Sequence, residues 1–197
     1  MVSSIPVKTK IGEKLKNKLK NAICYLSGPI EKAKDLGVGW RNEFISKSKH
    51  LNLVVIDPCN KPTNFTHEIK GEHRTIDGLR KERKWEELVS YVKQFRREDL
   101  RFTDISDFLI VYIDPDVPSY GTLDELFTAE DQKKPLLCIC KGGIDKLPAW
   151  LFAVFKLNEI FENVDGCIEY LNKINNNETL SEDRRWVLCR DALKISQ

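Results

Sequence analysis

The chain has 197 residues, 31% of them charged, and its 32 basic and 30 acidic side chains leave a net charge of +2. That balance by itself argues neither for nor against nucleic acid, which is not the expected partner, and the length fits one large domain able to bury a substantial core. No run of about eighteen apolar residues occurs, which excludes a membrane-spanning helix, and six cysteines without regular spacing point to reduced core thiols in a cytoplasmic protein rather than a disulfide framework.

Residues 1–20 carry six lysines between Lys8 and Lys20 against a single Glu13. They read as a basic extension, solvated and frayed, although Ile11, Leu15 and Leu19 at a spacing of four permit a short amphipathic helix. No apolar core of a secretory signal precedes it. From residue 21 onward the pattern is that of a single domain. Short apolar runs at 22–26, 51–56, 107–113 and 135–140 read as strands, and a fifth strand is expected through Ile160 and Phe161. Between them, helical periods run from Trp40 to Lys49, Trp85 to Leu100, Leu123 to Lys133 and Trp150 to Leu157, with two more at Val164 to Ile174 and Ser181 to Leu193. Strand alternating with helix predicts a doubly wound, parallel α/β sheet of about five strands with helices on both faces. The connection from Cys59 to Lys84 is charged and long, an insertion of the kind that covers a site.

The stretch from Phe108 to Leu126 concentrates the chemistry. An apolar strand buried on both faces stops at an acidic, proline-broken turn and restarts as a helix with Glu125 in its opening turn. Ligands of such sheets bind beyond the carboxyl ends of the strands, where this turn emerges. Thr122 and Glu125 also form T-x-x-E, the signature of a capping box, so a purely structural role stands beside a catalytic one. A helix amino terminus favours the ionised glutamate, which suits a nucleophile. On the helix from Trp85 the stripe Leu88, Val92, Phe95 continues into Asp99, an acid where the pattern asks for a hydrophobe; it is either a fringe residue or a buried acid held protonated enough to donate. After the first strand, Tyr25-Leu26-Ser27-Gly28-Pro29 offers a hydroxyl and amides for a sugar or phosphate. It lacks G-x-G-x-x-G and the Walker lysine, so no nucleotide cofactor of those types is expected. Cys138 and Cys140 alternate along a strand and face opposite sides, His67 and His73 lack matching ligands, and Asp114 and Asp116 shape a loop; no metal site is predicted. The four tryptophans are expected mostly in the core or as pocket wall.

Together, YLSGPI at 25–30, LVVIDP at 53–58, R-E-D-L at 97–100, ISDFLIVYID at 105–114 and SYGTLDEL at 119–126 resemble the nucleoside 2-deoxyribosyltransferase superfamily, in order, over residues 22 to about 161. The resemblance implies a flavodoxin-like sheet and an enzyme acting at the N-glycosidic bond of a nucleoside or its 5′-monophosphate, without a cofactor. It makes Glu125 the nucleophile at the anomeric carbon, Asp99 the acid assisting departure of the base, and Tyr25 the residue orienting the glutamate. Ser27, Gly28, Ser119 and Gly121 fall at substrate-binding positions. Free-nucleoside transferases tend to carry an acid near Ser119, whereas the monophosphate N-glycosidases resemble the Pro-Ser-x-Gly of this chain, and a serine does not repel phosphate. Members commonly form homo-oligomers, which the resemblance implies here. The alternative is a non-catalytic nucleotide-binding module on the same fold.

Overall fold

The computed structural model describes residues 17–60, 76–176, 178 and 184–188. Five strands, β1 (Ile23–Ser27), β2 (Val54–Ile56), β3 (Phe108–Ile113), β4 (Leu136–Cys140) and β5 (Ile160–Phe161), form one sheet in the order β2-β1-β3-β4-β5. Every neighbouring pair is parallel. This is the flavodoxin-like order, whose topological switch point lies between β1 and β3.

Alternation along the strands sends side chains into two apolar layers. Cys24, Leu26, Ile110 and Ile139 face one cluster, with Trp40 and Phe44 of helix α1 (Val38–Ser48) and Cys167 and Leu171 of helix α4 (Val164–Asn175). Tyr25, Leu109, Val111 and Cys138 face the other, with Phe102 of helix α2 (Trp85–Ile105) and Leu126 of helix α3 (Tyr120–Asp131). The near-complete burial of β3 and β4 on both faces accounts for their unbroken apolar sequence.

Several expected elements differ in extent or kind. Helix α2 runs five residues beyond Leu100, its end tied by Thr103 Oγ1 donating to Asp99 O (3.2 Å) and Ser106 Oγ to Phe102 O (2.7 Å). The helix expected from Trp150 to Leu157 is instead a 3₁₀ turn at Ala149–Ala153, followed by another at Leu157–Glu159. The Glu159 carboxylate accepts from the Lys156 amide (3.2 Å), which closes the second turn and delivers the chain extended into β5.

At the amino side, Leu19 is fully buried and its amide donates to Asn175 Oδ1 (3.0 Å), so residues 17–20 are docked rather than frayed. The rest of that extension lies outside the described residues, as do 61–75 of the insertion and His67 and His73; residues 76–81 are helical. Of the segment expected to be helical at 181–193, Arg184–Trp186 forms a 3₁₀ turn and Trp186 packs between Phe108 and Tyr170; the remainder is outside the described residues. Trp40 and Trp186 are buried as expected, while Trp85 is half exposed at the start of α2. No described helix is long and apolar enough to cross a membrane.

Candidate active site

Tyr25 and Ser27 are two residues apart on β1 and therefore point to the same face. Parallel pairing with β3 sets Tyr25 beside Leu109 and Ser27 beside Val111, and the chain leaving β3 returns as α3 over that face. Both hydroxyls converge on Glu125: Tyr25 Oη donates to Oε1 at 2.8 Å and Ser27 Oγ donates to Oε2. Glu125 is only 9% exposed, and Tyr25 and Ser27 are fully buried.

Glu125 therefore does not cap its own helix. The cap is Ser119, whose Oγ accepts from the Thr122 amide (3.4 Å) and shares a hydrogen bond with Thr122 Oγ1 (2.8 Å). With the helix starting at Tyr120, Glu125 falls in its second turn, one turn deeper than the sequence suggested. The capping-box reading and the opening-turn placement are both corrected by Ser119, which starts the helix early enough to leave the glutamate free to face the sheet.

Electrostatics run against the expectation of a helix-stabilised carboxylate. Burial, and then the nearby charge of Asp99, push the Glu125 carboxyl up to about 7, while the Ser27 and Tyr25 hydrogen bonds and the Arg41 charge pull it down. Desolvation outweighs the dipole because the second turn lies beyond the reach of the terminal amides. Burial, with the charges of Glu125 and Asp99, likewise holds the Tyr25 phenol well above its usual range, so it remains a proton donor. Asp99 is half-buried on α2, a helix packed against α3 and β1, and its charge reaches both Glu125 and Tyr25.

Gly28 follows Ser27 in a crowded position: a Cβ there would come within 2.8 Å of Trp40 Cζ2 and 3.1 Å of Tyr112 Cβ. Trp40 and Tyr112 stack with centroids 5.0 Å apart and planes 13° from parallel. Gly121, by contrast, is exposed with open space around it, so nothing local demands a glycine. A cavity of about 340 Å³ opens beside these residues, walled by Pro29, Tyr112, Ser119, Thr122, Phe127 and Trp150 among others. Its wall reaches the chemistry through Thr122, one helical turn before Glu125, and Pro29, two residues after Ser27. The wall is mainly apolar and aromatic with hydroxyls at one side, suited to a ring carrying polar substituents.

One residue of the site, Arg41, was not singled out in the sequence, and Asp57 and Trp40 were given no part in it. Arg41 is fully buried, donating to Leu26 O, Gly28 O and Gly37 O. Asp57 lies 3.5 Å from Arg41 Nε, and Trp40 places its ring 4.7 Å from the guanidinium carbon. The available signal was an arginine three residues before Phe44, on the apolar side of a helix.

The fold and the site's position define a flavodoxin-like α/β protein with a buried carboxylate at the switch point. Among solved structures, a 2-desoxiribosyltransferase from Leishmania mexicana is similar to it, with a TM-score of 0.51 over 77% of this chain and 97% of that one, at 16% identity. This likeness carries the fold, and it agrees with the resemblance read from the motifs. No family model matches the chain, and no curated protein matches it in sequence.

Proposed function

We propose that this protein cleaves or exchanges the N-glycosidic bond of a (deoxy)nucleoside or its 5′-monophosphate through a covalent glycosyl-enzyme intermediate. The observation that supports this most is the buried Glu125 carboxylate held by two hydroxyls, Tyr25 and Ser27, at the sheet's carboxyl edge. In the first step Glu125 attacks C1′, the bond from C1′ to the base nitrogen breaks, and the electron pair leaves with the base, which takes a proton from Asp99. In the second, water or an acceptor base attacks C1′ and Glu125 departs as carboxylate, with Asp99 accepting the proton. Retention of configuration follows from the two displacements.

The coupling between the two acids fits this division. The Asp99 charge disfavours ionisation of Glu125, and a nucleophile with a separate acid needs the two carboxyls in different protonation states. Tyr25 and Ser27 orient Glu125 and stabilise its ionised form. Gly28 leaves room for the substrate's approach beside the Trp40 and Tyr112 stack. Ser119 and Gly121 lie at the amino end of α3, where backbone N–H groups favour an anion, and this supports a phosphorylated substrate. A second copy of the chain would cover the exposed Tyr120 and Trp150, each 79% exposed; sedimentation analysis tests that homo-oligomer.

The functional test is incubation with a panel of nucleosides and 5′-monophosphates, with and without a free acceptor base. Free base plus sugar phosphate identifies a hydrolase, and a new nucleoside identifies a transferase. Absence of base release from every substrate would overturn the reading.

A further inference from the structure

We propose that Arg41 is the positioning residue of this site, clamping the end of β1 from behind so that Ser27 and Tyr25 present their hydroxyls to Glu125. This rests on the functional reading above only where turnover is measured. The guanidinium donates from Nε and Nη2 to Leu26 O (3.3 Å each), from Nη2 to Gly28 O (2.9 Å) and from Nη1 to Gly37 O (2.8 Å). Leu26 and Gly28 flank Ser27 in the chain. The clamp therefore grips both peptide carbonyls around the residue whose side chain reaches Glu125 on the opposite face.

A fully buried arginine needs such a set of partners to be tolerated. Three carbonyls use its fork, and Asp57, at the end of β2 and 11% exposed at its side chain, sits 3.5 Å from Nε. Gly37 contributes through its conformation: at φ +72° it caps α1 in the left-handed region, which turns its carbonyl onto Arg41, and a Cβ there would collide with the guanidinium and with Pro29 O. A lysine could keep the charge but could not span these carbonyls with one planar fork.

The same residue favours the ionised nucleophile, against the larger opposing effects of burial and the Asp99 charge. The groups that act on Glu125 are Tyr25 and Ser27 from β1, Asp99 from α2 and Arg41 from α1; of these Asp99 disfavours the carboxylate and Arg41 favours it. Asp57 faces Arg41 rather than the glutamate and tempers its charge.

Three variants test this, read by the Glu125 carboxyl titration in ¹³C NMR of the intact protein and by steady-state kinetics. Arg41→Lys keeps the charge and loses the fork; kcat is expected to fall roughly 10- to 100-fold with KM nearly unchanged, the signature of lost orientation. Arg41→Met is expected to raise the Glu125 midpoint, and Asp57→Asn to lower it, each by roughly half a pH unit or more. If Arg41→Met does not fold, Asp57→Asn decides the electrostatic part. Wild-type turnover in Arg41→Lys, or an unmoved midpoint in the folded charge variants, overturns the proposal. The midpoint needs no turnover, so shifted midpoints in a protein inert toward every nucleoside would sustain Arg41's action on Glu125 while sinking the functional reading.

Discussion

Two of the described glutamates are buried, and they are held by opposite means. Glu159, fully buried before β5, forms an ion pair with Arg185 and accepts from the Lys156 amide. Burial raises its carboxyl, and Arg185 pulls it back. Among the described residues no cation forms an ion pair with Glu125; two neutral hydroxyls hold it, and a second acid stands nearby. An acid neutralised by a touching cation fastens the chain. One held by hydroxyls alone is oriented without being neutralised by a touching cation, at the carboxyl edge of the sheet.

Breaking each acid should separate these roles. Glu125→Ala is expected to reduce base release about 10³-fold or more, while Glu159→Gln leaves turnover at the wild-type level; product chromatography on both variants checks it. Stability should respond in the reverse sense. The folded Glu125 carboxyl titrates near 7 against 4.5 for the free group. The stability it contributes is therefore fully present below the unfolded value and is lost as pH rises through about 7. Glu125→Gln removes that loss, so at pH ~8.5 it should be more stable than wild type by up to about 3 kcal/mol, and the gain should vanish near pH ~4.5. Glu159→Gln breaks the ion pair and is expected to lose about 2 kcal/mol, reduced from the buried-pair range because Arg185 is partly exposed. Urea unfolding at the two pH values measures both.

Smaller effects sharpen the account of Glu125. Ser27→Ala removes a hydrogen bond to the carboxylate and should move the acid limb of the rate profile to higher pH. A Glu125 titration in Asp99→Asn should move the opposite way, since the neighbouring negative charge is gone. Equal movement in one direction would contradict the assigned roles.

Much of this was legible in the sequence. Five apolar runs became the five strands: the central β1, β3 and β4 are buried on both faces and leave an unbroken apolar signature, while the edge strands β2 and β5 are shorter and only partly buried. Tyr25 was readable only through the motif resemblance, Ser27 as a hydroxyl at the carboxyl end of the first strand, and Asp99 through its place in an apolar stripe. The helix start was misjudged because Thr122 and Glu125 imitate a capping box, while Ser119, three residues earlier, makes the actual cap. The segment after Pro148 carries helical spacing at Leu151 and Phe155, yet the Lys156 and Glu159 contact ends it. Arg41 was hidden because its partners are backbone carbonyls, which leave no mark in a side-chain pattern.

The most direct test of the central claim is peptide mapping by mass spectrometry of the enzyme quenched during turnover of a substrate from the panel. The account predicts a sugar adduct on the peptide containing Glu125, with product released in the retained anomeric configuration. An unmodified Glu125 accompanied by product of inverted configuration would contradict it.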